Sequence, residues 1–140
     1  MTTAQVYFPQ LLAMVALSFA VALWILITRV SDLVSRRKPV SYYENWDGAG
    51  ASVAVMRPTR QLANLFEFPV LFYTAVVFII VLGVSDAWLP ALSTLYVVFR
   101  WAHALAHLGF NRLWVRTPIF MLGQFVLLAI WLRLGWVIYN

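Results

Sequence analysis

The chain contains no cysteine. A disulfide scaffold, a thiolate metal site and a cysteine nucleophile are all excluded by that one absence. Charge is scarce too. Only 11% of the 140 residues are charged, against about 25% in soluble domains. Hydrophobic residues reach 64% and the mean hydropathy is +0.85, which excludes disorder and argues against a soluble globular fold. Acidic side chains are rarest, five against ten basic ones, for a net charge of +5. In so apolar a chain, surplus positive charge points to loops that face anionic lipid or an anionic ligand, not to nucleic acid. The length leaves room for one domain.

What the sequence has instead is four apolar stretches of roughly the 20 residues needed to cross a bilayer. They run from about Val6 to Thr28, Gln61 to Val84, Trp88 to Leu108 and Thr117 to Ile138. The expected fold is an all-α membrane protein, a single four-transmembrane-helix bundle over residues 1–140. The first stretch has no basic residue before it and is too long for the apolar part of a signal peptide. The one long connection, Ser31 to Arg60, holds Pro39, Gly48, Gly50, Pro58 and the run Glu44-Asn45-Trp46-Asp47. It reads as a cap beside the membrane. Pro58 suits the first turn of a helix, where a missing N–H costs nothing.

Four spans place both termini on one side. The first and third connections, with their flanks, carry Arg29, Arg36, Arg37, Lys38, Arg57, Arg60, Arg100, Arg112 and Arg116, leaving only Arg133 toward the other side. The positive-inside rule puts these basic loops in the cytoplasm and the termini outside. Trp88, Trp131, Trp136 and Tyr139 then fall at the outer interface, and Trp46, Trp101 and Trp114 at the inner one, as aromatic belts do.

Polar residues inside the spans carry the functional signal, because charge in a bilayer is costly and faces the protein interior or a wet cavity. Arg57, Arg60, Asn64 and Glu67 are spaced three, four and three apart, within an arc of about 80° on one helix face. Arg100, His103 and His107 share a face of the third span. Arg29 ends the first span and Arg116 begins the fourth. All these groups fall in the cytoplasmic half and imply a mostly positive cavity. Glu67 is its deepest residue and its one buried carboxylate, about 15 Å along the helix from Arg57. Simpler roles exist for individual members. Arg36, Arg37, Lys38 and Arg112 suit ordinary positive-inside residues, Arg29 and Arg57 can snorkel, and Glu67 can pair with Arg60 or an arginine of another span.

Three chemistries suit such a cavity to different degrees. The His103–His107 pair, with Glu67, resembles a metal ligand set, but the surrounding arginines oppose a cation and no metal is expected. An exporter of cationic drugs needs a carboxylate counter-ion; Glu67 is outnumbered by arginines. An anionic, peptide-like cofactor fits best: arginines clamp carboxylates, Glu67 and Asn64 hold an amine and an amide, and a remaining arginine stabilises a thiolate. Glutathione has that set of groups, and it brings the thiol that the chain lacks.

Arg57-Pro-Thr-Arg60-Gln-Leu-Ala-Asn64-Leu-Phe-Glu67 resembles the second-span signature of the MAPEG family, the membrane-associated proteins of eicosanoid and glutathione metabolism. Arg100-Trp-Ala-His103-Ala-Leu-Ala-His107-Leu-Gly, followed by Arg112 and Arg116, resembles its third-span signature and the start of the fourth. The resemblance implies a homotrimer that binds glutathione between neighbouring subunits near the cytoplasmic face. By the same resemblance Arg60, Asn64 and Glu67 hold the cofactor with His103 and a span-one arginine, matched here by Arg29. Arg116 activates the thiolate, and Thr117 stands where some members have serine. Three positions depart from the pattern. Ala63 replaces an arginine, and His107 and Phe120 each replace a tyrosine; His107 and Thr117 are expected among the cofactor contacts. Pro69 also follows Glu67 closely. The expected protein is a bacterial-type inner-membrane glutathione transferase or peroxidase acting on a hydrophobic or lipid substrate that enters from the bilayer. The alternative is a non-catalytic lipid-binding or scaffold protein of the same fold.

Overall fold

The computed structural model describes residues 2–35, 38–44 and 49–140, and every regular element among them is a helix. In chain order these are α1 (Thr3–Val34), α2 (Val40–Glu44), α3 (Val53–Leu65), α4 (Pro69–Val81), α5 (Leu89–Leu108) and α6 (Leu113–Tyr139). The helix α1, the stretch Val53–Val81 and α6 are each long and apolar enough to cross a membrane. The 20 residues of α5 rise about 30 Å, which also matches a bilayer. Its Arg100, His103 and His107 make it less apolar, but all three are buried, so the surface it shows stays apolar. Four spans result, with α3 and α4 forming one of them.

Each span buries a narrow seam. On α1 the seam is Tyr7, Met14, Leu17, Val21 and Ile25; on α6 it is Gly123, Leu127, Ile130 and Leu134. Both repeat at intervals of three, four or seven, the spacing that keeps one face toward neighbouring helices. Gly123 faces α5, where an added Cβ would sit 3.4 Å from the Phe99 Cβ, an ordinary packing contact. Most of the exposed surface of α1 and α6 is apolar: Phe8, Phe19, Leu23, Phe125 and Leu132 among others. A surface of that kind suits lipid, not water. The helix α1 packs on α3, α4 and α5, while α6 packs on α5 and α4. A stacked pair, Phe72 of α4 and Tyr96 of α5 with ring centroids 4.6 Å apart, marks the centre.

The structure departs from the sequence reading in specific places. The first and last helices overrun the expected spans, starting at Thr3 and Leu113 and ending at Val34 and Tyr139. A capping box explains the early start of α1, with Thr2 and Gln5 each accepting from the other's backbone N–H. The helix α3 begins at Val53, so Pro58 lies inside it and not in its first turn. The second span is not one helix. It breaks at Phe66–Phe68, where the Phe66 N–H turns back to the Ala63 carbonyl and Pro69 opens α4. Trp101 is no belt residue; it is half-buried, and its indole donates to the Ala13 carbonyl at 3.2 Å. Trp114 is 91% exposed.

The described parts of the loop after α1 fold back onto the end of that helix. Asp32 is buried and accepts from the hydroxyls of Tyr43 at 3.3 Å and Ser52 at 3.0 Å. Burial raises the Tyr43 phenol above its ordinary value, with Asp32 adding to the shift. The Tyr42 hydroxyl donates to the Ala49 carbonyl at 2.7 Å, and the Lys38 ammonium lies 4.6 Å above the Tyr42 ring. The expectations for Arg36, Arg37, Asn45, Trp46, Asp47 and Gly48 lie outside the described residues.

Candidate functional site

Two turns decide which polar side chains meet. The first is the break at Phe66–Phe68. It ends α3 at Leu65, one residue after Asn64, and leaves Glu67 beyond the helix, still beside Arg60 and Asn64. The second joins α5 to α6. Gly109 ends α5 in a conformation where an added Cβ would lie 2.9 Å from the Leu105 carbonyl oxygen. Two residues on, Asn111 has φ +47°, in the left-handed region that asparagine tolerates better than most residues. Its N–H donates to the Ala106 carbonyl at 2.8 Å. This turn brings Arg116 of α6 back over His103 and His107. Arg57 ties α3 to it, donating to the Gly109 carbonyl at 3.3 Å.

A cavity of about 390 Å³ opens between these elements, lined by Arg60, Ala63, Asn64 and Glu67, by His103 and His107, and by Arg116, Thr117 and Phe120. Seven of the eight predicted site residues, all but Arg29, stand around this one space. It falls within the range of about 300–1,000 Å³ typical of ligand sites. A second cavity of about 420 Å³ adjoins it toward the cap, sharing Arg60, His107 and Arg116 and adding Arg57 and Asn111. Together they form a cleft walled by arginines. Arg29 does not line it. Its guanidinium lies 5.8 Å from the Tyr43 ring centre, under the cap.

Glu67 corrects a second expectation. It is exposed in the single chain, not buried, because the break carries it off the helix face. Among the described residues it forms no ion pair with Arg60 or any other arginine. Its carboxylate remains available to a ligand or to another chain.

Donor and acceptor rules fix the protons of both histidines. Arginine only donates, so the 3.3 Å contact from Arg116 Nη1 makes His107 Nδ1 the acceptor and places the His107 proton on Nε2. A carbonyl only accepts, so the 3.1 Å contact between His103 Nδ1 and the Arg116 oxygen makes His103 the donor. One turn apart, the two imidazoles thus hold the backbone and the side chain of the same arginine in opposite tautomers. The Asn111 side-chain oxygen completes the hold, accepting from Arg116 Nη1 at 2.7 Å. The sequence reading did not single out Asn111. Its signal was the left-handed turn that a short helix–helix connection requires.

Arg100 lies behind the cavity and is only 2% exposed. Its Nε donates to the Tyr96 hydroxyl at 2.8 Å and its Nη1 to Asn64 Oδ1 at 3.1 Å. The guanidinium lies 5.1 Å from the ring centres of both Tyr96 and Phe120. Those π-faces take the place of a carboxylate, since none pairs with Arg100 among the described residues. Phe120 also meets His103 at 5.3 Å and Phe68 at 5.9 Å, closing the deep end of the cavity with apolar rings. No group of three or more His, Asp or Glu able to hold a metal occurs among the described residues.

The arrangement offers an anion three kinds of contact: the arginines Arg57 and Arg60 of α3, Arg116 held by Asn111 and His107, and the Asn64 amide held by Arg100. Compared with known proteins, residues 10–136 match the model of the MAPEG family. No curated protein and no solved structure matches the chain.

Proposed function

Since the chain belongs to the MAPEG family, we propose that it is an integral membrane glutathione transferase or peroxidase acting on a hydrophobic electrophile. The observation that carries this reading is the convergence of Arg60, Asn64, Glu67, His103, His107, Arg116 and Thr117 on one cavity. They come from three separate helices and the break after α3. Glutathione supplies the thiol nucleophile. The residues present fit its groups: Arg60 can clamp a carboxylate, the unpaired Glu67 can take the amine, and Asn64, its oxygen held by Arg100, turns its amide N–H toward a ligand carbonyl. Arg116 is fixed but not neutralised, so its charge stabilises a sulfur anion.

In this reading the arginine-rich end faces the cytoplasm, both termini face outward, and the membrane is the bacterial inner membrane. Substrate arrives through the bilayer. A homotrimer would let Glu67, and Arg29 of a neighbouring copy, complete the site between subunits.

Equilibrium binding of glutathione to detergent-purified protein tests the reading, with Glu67→Gln and Arg60→Ala as controls. Saturable binding lost in both variants supports it. No binding at millimolar glutathione rejects it. A second reading, a non-catalytic lipid-binding protein, would then stand. The apolar cleft of about 310 Å³ between α1 and α5, lined by Leu17, Val21, Trp24, Trp101 and Leu108, favours it.

A further inference from the structure

We propose that Asn111 and His107 are positioning residues for Arg116, a pair of neutral acceptors that fixes its guanidinium while leaving its charge intact. The inference rests on the reading above, in which Arg116 stabilises the thiolate.

Arg57 and Arg60 of α3 and Arg116 of α6 line one cavity, and like charges at such range repel. An unrestrained arginine also carries a large rotamer entropy and would swing toward the open side. Something must hold Arg116 in place. A carboxylate would do so most strongly, but it would cancel the field that lowers a thiol's pKa. The chain uses two uncharged acceptors instead. Asn111 Oδ1 lies 2.7 Å from Arg116 Nη1 and His107 Nδ1 lies 3.3 Å from it.

Both hydrogens of that nitrogen are thereby engaged, and the remaining N–H groups of Arg116 are left for the cavity. His107 and Asn111 approach from different elements, the end of α5 and the turn after it, so the guanidinium is fixed by two anchors. His103 steadies the same residue at its backbone, donating to the Arg116 carbonyl. His107 stands where the family resemblance expects tyrosine, and an imidazole with an unprotonated Nδ1 accepts from an arginine as a phenol oxygen would. The left-handed turn at Asn111 is what aims its side chain back at α6.

The test uses Asn111→Gly, which keeps the left-handed backbone and deletes the acceptor, and Asn111→Asp, which keeps an acceptor and adds a negative charge. A ligand-free arm comes first. The chain has two histidines, so the 15N imidazole spectrum of detergent-purified protein contains two rings, assigned with His107→Gln. His107 is expected to show an unprotonated, hydrogen-bonded Nδ1 whose resonance moves in Arg116→Ala. A protonated Nδ1, or no movement, overturns the clamp.

The second arm measures turnover of glutathione with an activated chloroarene, and the thiolate ultraviolet absorbance of bound glutathione against pH. Asn111→Gly is expected to lower kcat on the order of 10- to 100-fold with KM little changed, and to add nothing in an Arg116→Ala background. Asn111→Asp is expected to retain binding and to raise the pKa of the bound thiol above that in wild type. A purely structural role predicts the opposite for Asn111→Asp, full rescue with an unchanged thiol pKa, and that result overturns the proposal. If wild type binds no glutathione while the imidazole shift is present, the functional reading falls and the clamp stands.

Discussion

Arg100 holds Asn64 from behind: its Nη1 donates to Asn64 Oδ1 at 3.1 Å, and its Nε is itself anchored on the Tyr96 hydroxyl at 2.8 Å. An arginine buried within a membrane span is costly, and here it is held by a phenol, an amide and two aromatic faces. Its effect is to fix one amide at the cavity wall. Asn64 then has a single orientation, oxygen inward and N–H groups outward, before any ligand arrives.

A double-mutant cycle follows from this geometry. Asn64→Ala is expected to weaken glutathione binding about tenfold, the scale of one well-made hydrogen bond. Arg100→Lys, which cannot reach both Tyr96 and Asn64 with one planar group, should cost a similar factor. The two together should cost little more than either alone. Additive losses in equilibrium binding would show that Arg100 acts elsewhere.

Arg116 and Glu67 should separate chemistry from binding. Arg116→Ala removes the guanidinium that is hydrogen-bonded to His107 and lines the cavity, and kcat should fall about 100- to 1,000-fold with a much smaller change in Kd. Glu67→Gln should do the reverse, raising Kd while a saturated enzyme retains most of its kcat. Single-turnover kinetics beside equilibrium binding checks both. Wild-type kinetics for Arg116→Ala would reject its assigned role.

The bundle and most of its site were legible from spacing. Arg57, Arg60 and Asn64 share a helix face because α3 is a helix there, and His103 and His107 are one turn apart on α5 for the same reason. Glu67 was legible as a member of the cavity but not in its environment. Extending the helix periodicity through it predicted a buried carboxylate, whereas the break before Pro69 exposes it. Trp101 was assigned to an interface by depth alone, and depth does not say which way a ring faces. Asn111 lay outside the periodic segments altogether. Its role depends on a backbone turn, and turns are set by local φ and ψ, not by the pattern of apolar residues.

Gly109 should be intolerant of any side chain. A Cβ at this position would lie 2.9 Å from the Leu105 carbonyl oxygen, a backbone atom that can yield only by distorting the end of α5. The same residue's carbonyl receives Arg57, and the turn it starts sets Asn111. Gly109→Ala is expected to cost about 1–3 kcal/mol, seen as a lower Tm in detergent, and to lower turnover as well through the displaced turn. An unchanged Tm would mean that the turn adapts without strain.

The opposite end of the bundle predicts an acid-sensitive contribution to stability. Asp86 accepts from Arg133 Nε at 3.1 Å and Nη2 at 2.7 Å, and its other oxygen accepts from the N–H groups of Trp88 and Leu89 at 2.9 Å. It therefore caps α5 and ties it to α6 with one carboxylate. The hydrogen bond from Arg133, with help from the two N–H groups and against a smaller effect of burial, holds its pKa below the ordinary value of 3.8. A carboxylate with a lowered folded-state pKa binds fewer protons folded than unfolded near that value, so stability rises with pH there. The contribution is complete above about pH 5 and fades as pH falls through 3.8 toward the lower folded value. Asp86→Asn keeps an acceptor for the helix cap but loses the charge. Its Tm should be lower than wild type at neutral pH and should converge on wild type in acid. Arg133→Gln should behave the same way, because removing either partner removes the same bond. Parallel Tm curves for wild type and Asp86→Asn across the acid range would show that the pair contributes no pH-dependent stability, leaving the cap as the only role of Asp86.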